Sequence, residues 1–145
     1  MIQKKVSASL AAGLRVILCV GEPTEIRKKG IRAAQQYVKN QLKKDLQNLD
    51  RRTLGDGRLT VAYEPIWAIG TGRNCPPADA RDMAEYIKEV VRVACRLSHI
   101  PVLYGGSVDG ANIEDYLCYT EICGALVGGA GLRKDQIKKI VTSAA

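Results

Sequence analysis

The hydrophobic pattern of this chain switches repeatedly between the period of a strand and the period of a helix. Four short apolar runs, bounded by glycine or proline and containing β-branched residues, are typical of buried strands: they are Arg15 to Val20, Leu59 to Tyr63, Pro101 to Tyr104 and Gly124 to Val127. A helical pattern follows each run. Strands that alternate with helices form a parallel sheet with right-handed crossovers, so the sequence predicts an α/β fold.

The helical patterns carry apolar residues three and four positions apart. The first has Ile31, Ala34, Val38, Leu42 and Leu46, and the second, opened by Pro77, has Met83, Ile87, Val90, Val91, Ala94 and Leu97. The third is a short helix near Asn112 to Cys118, and the fourth runs from Lys134 to Val141 with Ile137, Ile140 and Val141 inward. Before the first strand, Ile2, Val6 and Leu10 are expected on the tail of a helix that Gly13 ends.

Four such units amount to half of an eight-fold β/α barrel. With 145 residues, 46% of them hydrophobic, the chain has enough material for one core and no room for two, so we expect one domain over residues 1–145. Because the amino end starts on a helix rather than a strand, the sequence is expected to be a piece of a larger fold.

Composition argues against several classes of protein. No run approaches the ~18 apolar residues of a membrane span, and no apolar stretch of a signal peptide follows Met1 to Lys5, so a cytoplasmic location is expected. The five cysteines show no CxxC pair, which predicts reduced thiols rather than a disulfide framework or a zinc site. Cys19, inside an apolar run, is expected to serve packing. No metal and no cofactor are expected.

Much of the formal net charge of +7 comes from the stretch between Arg27 and Arg52. Nucleic-acid binding is one explanation of such a run, but little aromatic interleaving and no nucleic-acid-binding motif accompany it, so a solvated helix face is preferred. The surplus of positive charge also favours an anionic substrate or a more acidic partner.

Glu64 stands at the end of the second strand and is followed by an apolar, glycine-punctuated loop that ends at Gly72. A carboxylate at the mouth of a strand, beside a loop that can cover it, has the ingredients of a general base that removes a proton from carbon. Glycine-rich turns also follow the other strands, at Gly21, at Gly105 and Gly106, and at Gly128 and Gly129. In a β/α barrel these loops build the active face, where glycine lets backbone amides approach an anion.

Four stretches occur in the order and spacing of triosephosphate isomerase: Ile17 to Glu22, Ala62 to Gly72, Tyr104 to Val108 and Leu126 to Ala130. The resemblance covers essentially the whole chain and only the second half of that enzyme, from its fifth strand to its final helix. It implies half of a TIM barrel, with four parallel β/α units preceded by the tail of a helix. It also implies an aldose–ketose isomerase of glycolysis and gluconeogenesis, which interconverts dihydroxyacetone phosphate and glyceraldehyde 3-phosphate.

The resemblance implies that Glu64 is the catalytic base, which moves a proton between two carbons of the triose phosphate substrate. It assigns the lid to Pro65, Ile66, Trp67, Ala68, Ile69, Gly70, Thr71 and Gly72, and the phosphate grip to Gly70, Ser107, Gly128 and Gly129. Ile69 and Leu126 match the apolar pair that closes on the carboxylate, stripping it of water and making it a stronger base. Triosephosphate isomerase is itself the standard example of this acid–base chemistry and of lid closure.

Other matching residues are expected to hold the closed lid. The hydroxyls of Tyr104 and Ser107 are expected to take backbone amides near Ala68 and Gly72, and Glu22 matches a carboxylate that meets the lid tryptophan. Without the resemblance, Tyr104 is better explained as a strand-end aromatic with a hydrated hydroxyl.

The chain also departs from the family. Arg73 to Pro76 replace the usual hinge that follows the lid, and Pro76 removes a helix-capping hydroxyl. This should stiffen the hinge and cost ~0.5–2 kcal/mol of capping. The family's first-strand lysine and fourth-strand histidine, which bind the anionic substrate and polarise its carbonyl, belong to the other half. The single histidine, His99, precedes a strand and is expected on the opposite face of a barrel, so it cannot replace them.

Two functions therefore stay open. In the first, the chain is part of a triosephosphate isomerase that is active only with the amino-terminal half. In the second, it is a non-catalytic phosphate-binding module that associates with itself, because a half barrel exposes two sheet edges and an unfilled interior. Both imply a partner that closes the barrel, either the missing half or a second copy in a homo-oligomer. Neither involves nucleic acid or a membrane.

Overall fold

A parallel sheet forms the centre of the structure. The computed structural model describes residues 1–49, 54 and 57–144, in which the strands are β1 (Val16–Val20), β2 (Leu59–Tyr63) and β3 (Val102–Tyr104), in the order β1-β2-β3. The helices of the same residues are α1 (Ile2–Ala11), α2 (Thr24–Arg27), α3 (Ile31–Leu46), α4 (Pro77–Cys95), α5 (Ile113–Leu117) and α6 (Lys134–Ser143), with 3₁₀ turns at Ile66–Ala68 and Gly129–Leu132. The predicted α/β fold, an open part of a TIM barrel, is confirmed.

The strands are in register at their carboxyl ends. Val20 of β1 is paired with Tyr63 of β2, and Tyr63 is in turn paired with Tyr104 of β3. Because all three strands run the same way, the loops that follow them start at one edge of the sheet. That edge therefore gathers every glycine-rich turn predicted from the sequence.

The core lies between one face of the sheet and the helices. Leu18, Val61 and Val102 form one row across the strands and are buried. They belong to a single apolar cluster with the inner faces of α3 and α4, which contribute Ala34, Val38, Leu42, Met83, Ile87 and Val91. Burying each leucine, isoleucine or valine side chain contributes about 1.5–3 kcal/mol, so this stripe-on-sheet packing holds the loops in place.

The opposite face of the sheet is partly exposed, although Ala62 at its centre is buried. Ile17 is 50% exposed, Cys19 is also exposed, and Leu103 is partly exposed. In a closed barrel this face would point into the filled interior. The described part of the chain therefore leaves apolar barrel surface uncovered.

The predicted fourth strand, Gly124 to Val127, is wrong in extent. It is reduced to one parallel bridge between Tyr104 and Ala125, although the backbone of Leu126 still donates to Tyr104 at 2.9 Å. The segment follows a three-residue β3, begins at a glycine with φ of 156°, and has a neighbour on one side only among the described residues. For these reasons a regular ladder of backbone hydrogen bonds does not form along the segment.

Three residues of the predicted apolar stripes are exposed. Ile31 is 38% exposed, Ala94 is also exposed, and Val141 is 61% exposed. Each residue lies at or near the end of its helix, where the apolar face of the helix extends beyond the element that it packs against. Gly13, in contrast, ends α1 as predicted: its φ is +81°, its amide donates to Leu10 and the next amide donates to Ser9, the two bonds of a Schellman motif.

The basic stretch surrounds an ordinary amphipathic helix. Helix α3 buries its apolar stripe, and Lys43 and Lys44 are exposed on its other face. Arg51 and Arg52, which also belong to the predicted basic run, lie outside the described residues. The solvated helix face preferred from the sequence is consistent with this arrangement.

Candidate active site

Glu64 lies directly beyond the end of β2, at the edge where the loops converge. Its backbone amide donates to the carbonyl of Val20 at 2.7 Å, which continues the pairing of β1 with β2 by one residue. Its side chain is half buried. The carboxylate is therefore placed by the sheet rather than by a loop.

Two glycines make room for Glu64. A Cβ added at Gly105 would stand 2.6 Å from the Cγ of Glu64, and one added at Gly21 would stand 1.8 Å from its carbonyl oxygen. No ordinary side chain fits at either distance. Glycine at the ends of the two neighbouring strands is thus a condition for the position of the carboxylate.

Glu64 shares one cleft of about 410 Å³ with most of the residues assigned to the substrate. The cleft is lined by Ile69, Gly70, Gly72, Ser107, Leu126, Gly128 and Gly129, all of them predicted from the sequence. Asp109, Asn112 and Arg133 line it as well, and the sequence had not pointed to them. The carboxylate, the lid tip and the two glycine turns therefore face a common space.

The lid begins with a 3₁₀ turn and ends on two glycines in the left-handed region. Gly70 and Gly72 have φ of 65° and 70°, a conformation that favours glycine. Ile66 and Ile69 are about half exposed, at 52% and 46%, while Ala68 is buried. The lid thus rests on Ala68, while Ile66 and Ile69 keep about half of their surface exposed.

Two side chains fasten the first part of the lid. Glu22, which is 0% exposed, accepts a hydrogen bond from the indole of Trp67 at 2.9 Å and another from the hydroxyl of Tyr63 at 3.1 Å. The hydroxyl of Ser107 donates to the carbonyl of Ala68. Glu22 therefore meets the lid tryptophan as the resemblance implied.

Arg27 covers the other side of Trp67. Its guanidinium lies 5.3 Å from the centre of the indole ring and forms an ion pair with Asp79 at the start of α4. A cation over a tryptophan face is attractive. The same cluster buries the hydroxyl of Tyr63 and raises its pKa well above the usual range, mainly through burial.

The contact predicted for Tyr104 is wrong in its position. Its hydroxyl accepts the amide of Cys75 at 2.9 Å, three residues beyond Gly72. Ser107 is near Ala68 as expected, but it donates to the carbonyl instead of accepting the amide. Ser107 also has a φ of 37°, which is uncommon for a residue with a side chain and is typical of functional turns.

The remaining assigned residues lie outside the cleft lining. Pro65 is buried directly after Glu64, and the hydroxyl of Thr71 donates to the carbonyl of Trp67 at 3.1 Å within the lid. His99 precedes β3, so it lies at the opposite end of the sheet from Glu64. It is not part of this cleft.

The thiol of Cys19 is close enough to the candidate base to respond to it. Although Cys19 is exposed as a residue, partial burial of its sulfur and then the neighbouring Glu64 carboxylate raise the pKa of Cys19 to about 12. This proximity was missed because Cys19 was assigned to packing alone. The alternation of β1 did contain the necessary information, since Cys19 and Ala62 are paired and Glu64 follows two residues later on the same face.

Comparison with known proteins decides the family. The family model described as triosephosphate isomerase matches residues 1–144. The chain belongs to the triosephosphate isomerase family. Triosephosphate isomerases of three bacteria illustrate the similarity: that of Roseiflexus castenholzii is 42% identical over 144 residues, that of Thermus thermophilus 40% over 135, and that of Dictyoglomus turgidum 38% over 146.

The match is one-sided in length. Those alignments include 97%, 91% and 99% of this chain but only 55%, 52% and 57% of the respective triosephosphate isomerases. The chain spans about half the length of the curated relatives it matches.

Two kinds of feature are absent from the described residues. They contain no cluster of three or more histidine, cysteine, aspartate or glutamate side chains that could hold a metal ion. None of the helices among them is long and apolar enough to cross a membrane.

Several residues that shape this site were not predicted. Tyr116 of α5 donates from its hydroxyl to the carbonyl of Cys75, and Asp79 of α4 pairs with Arg27. The partners of these bonds are 41 and 52 residues apart in the chain, so no local pattern could indicate them. A tyrosine on the inner face of a short helix carries no sequence signal beyond its apolar position.

Proposed function

We propose that this chain supplies the catalytic base and the phosphate grip of a triosephosphate isomerase. It interconverts dihydroxyacetone phosphate and glyceraldehyde 3-phosphate when an amino-terminal half closes the barrel. The proposal rests on the cleft that Glu64 shares with Gly70, Ser107 and the Gly128–Gly129 turn. The reaction belongs to glycolysis and gluconeogenesis, and we place the complex in the cytoplasm.

The chemistry assigned to Glu64 is a proton transfer between neighbouring carbons. Its carboxylate takes a proton from the carbon beside the carbonyl, the C–H electron pair forms a carbon–carbon double bond, and the carbonyl oxygen takes the negative charge. Glu64 then returns the proton to the adjacent carbon, while the hydroxyl proton of the first carbon passes to the former carbonyl oxygen. The first carbon becomes the new carbonyl, which yields the isomeric triose. Atoms balance with no external reagent, so one carboxylate serves both steps.

The opposite side of the cleft suits a phosphate. Backbone amides at Gly70, Gly128 and Gly129 are free of Cβ atoms that would block a close approach, and no atom lies within 4 Å of a Cβ built at any of the three. Arg133 adds positive charge to the same lining. These groups would fix the substrate with its reacting carbons toward Glu64.

The oxyanion that forms in the reaction lacks a donor in this chain. Among the described residues that line the cleft there is no histidine and no lysine, and His99 is at the other end of the sheet. Loss of one oxyanion donor reduces turnover by about 100- to 1,000-fold, and here a substrate-binding cation is missing as well. We therefore expect little or no turnover from the chain alone.

Complementation tests this proposal. The chain would be mixed with the amino-terminal half of the Roseiflexus castenholzii triosephosphate isomerase, and conversion of glyceraldehyde 3-phosphate would be followed in a coupled assay. We expect turnover in the mixture, loss of it on Glu64→Gln, and retention of it on Glu25→Gln, an exposed carboxylate that serves as the matched control. Turnover by the chain alone would contradict the need for the other half. An inactive mixture in which sedimentation shows the two halves bound would contradict the isomerase proposal.

A second candidate function is favoured by the exposed sheet face. Ile17 at 50% exposure and the open edge of β1 are surfaces that a folded monomer normally covers. A phosphate-binding half barrel that associates with a second copy would cover both. Light scattering should then show a homo-oligomer, and a well-folded monomer at micromolar concentration would rule this candidate out.

A further inference from the structure

The hinge directly beyond the lid, at Asn74 and Cys75, is held by side chains that the proposed reaction does not use. The amide of Cys75 donates to the hydroxyl of Tyr104 at 2.9 Å, and the carbonyl of Cys75 accepts from the hydroxyl of Tyr116 at 2.6 Å. The side-chain amide of Asn74 donates to the same Tyr116 hydroxyl at 3.0 Å. Both backbone groups of one residue are thus fixed by phenols.

Tyr116 is itself rigidly placed. Its ring stacks on that of Tyr104 with 4.2 Å between ring centres and 15° between planes. Tyr104 and Tyr116 are 1% and 0% exposed. Burial raises the pKa of both hydroxyls, so both remain protonated and Tyr116 can donate throughout the physiological range. The rings have no freedom to turn away from Cys75 while the core is intact.

The other end of the lid has a different anchor. Trp67 donates to Glu22, and Ala68 accepts from Ser107, so the first turn of the lid is bonded to the loops that follow β1 and β3. Cys75 is the first fully buried residue after Ala68, at 0% exposure. The lid tip between them can move only as far as these two anchors allow.

We propose that Tyr116 is a positioning residue for the lid: by holding the Cys75 carbonyl it sets where the lid ends and how far its tip at Gly70 can move over the cleft. The role rests on the proposed function, because it matters for catalysis only if the lid covers a substrate. Tyr116 does not line the cleft and acts through Cys75 and Asn74.

The test is amide hydrogen exchange on the whole chain without ligand. Tyr116→Phe keeps the stacked ring and removes the hydroxyl, which leaves the buried Cys75 carbonyl without its donor. We expect the protection of the Cys75 amide to fall roughly 5- to 150-fold, while the amide of Ala62 in β2 keeps its protection. Tyr119→Phe is the matched control, since it is a half-buried tyrosine two residues beyond α5 whose hydroxyl does not bond to the lid. It should leave both amides unchanged.

A purely structural role would give another result. If Tyr116→Phe lowers the protection of Cys75 and Ala62 by the same factor, or lowers neither, the positioning role is overturned. Should that variant fail to fold, Asn74→Ala removes the exposed partner of the same hydroxyl and is expected to lower protection at Cys75 alone by roughly 2- to 12-fold; no selective change there would also overturn it. The exchange needs no substrate, so a failed complementation would leave this result standing, and the reverse also holds.

Discussion

Replacing the buried carboxylate of Glu22 by the amide of glutamine should loosen the first half of the lid and destabilise the fold. Glu22 is 0% exposed and accepts from Trp67 at 2.9 Å and from Tyr63 at 3.1 Å. Glu22→Gln keeps the shape of the side chain and removes its charge. The change therefore isolates what the charge contributes to the two hydrogen bonds.

The expected size follows from the number of bonds. A hydrogen bond to a charged group contributes about 1.5–3 kcal/mol, and one between neutral groups about 0.5–1.5 kcal/mol. Two bonds change from the first kind to the second, so the free energy of unfolding should fall by about 2–3 kcal/mol. Relief of carboxylate burial acts in the opposite direction. We expect the hydrogen bonds to outweigh it, because both donors are themselves fixed beside Glu22.

Two readouts separate the fold from the lid. Urea unfolding followed by circular dichroism gives the free energy of unfolding, and the emission of Trp67, the only tryptophan in the chain, reports on the lid. Glu25→Gln, three residues along the chain and exposed, should change stability by less than about 0.5 kcal/mol. Trp67 emission should shift to the red in the Glu22 variant alone.

The reasoning is refuted if Glu22→Gln and Glu25→Gln unfold within about 0.5 kcal/mol of each other and of the parent chain. That result would mean that the cost of burying the carboxylate cancels its hydrogen bonds. Glu22 would then hold Trp67 in place without stabilising the fold.

Three further predictions concern Glu64 and the thiols. Gly105→Ala should push the Glu64 side chain aside and lower the turnover of the complemented enzyme by roughly 100-fold, and a loss below tenfold in the coupled assay would contradict this. At pH 8, iodoacetamide should alkylate exposed Cys123 well before Cys19, whose pKa is raised to about 12, and Glu64→Gln should speed the reaction of Cys19; mass spectrometry of the products gives the rates. Burial raises the pKa of Cys75 from 9.0 to about 12. The neutral thiol therefore makes its full contribution to the free energy of unfolding below pH 9, and this contribution declines as pH rises toward 12. Urea unfolding of Cys75→Ala should show a shallower decline, and an equal slope would argue against burial of the thiol as the cause.

Much of the fold could be predicted because its signals are local. The change of hydrophobic period indicated β1, β2 and β3, and the helices that follow them begin and end close to the expected residues. Gly13 ends α1 through bonds within its own turn. The fourth strand failed because pairing at a sheet edge depends on a second neighbour, and no such information is present in the segment itself.

The site was predictable in its backbone and less so in its side-chain contacts. Glycine turns and a strand-end carboxylate leave a pattern in the sequence, and the structure brings Glu64, Gly70 and Gly128 to one cleft. The predicted partner of the Tyr104 hydroxyl was wrong by three residues. The amide that this hydroxyl contacts depends on the path of the backbone between the lid and α4, which the sequence does not specify. The bond from Tyr116 to Cys75 joins two elements far apart in the chain and could only be seen in three dimensions.

The most direct test of the central claim is isomerisation in heavy water. The chain mixed with the amino-terminal half of a relative would be given dihydroxyacetone phosphate in D₂O, and the product followed by proton NMR. If Glu64 carries the proton between carbons, glyceraldehyde 3-phosphate should carry protium at carbon 2 where the same proton is returned, and deuterium where the proton on Glu64 exchanges with solvent first. Glu64→Gln should form almost none of either product. Isomerisation that continues unchanged in the Glu64→Gln mixture would contradict the account.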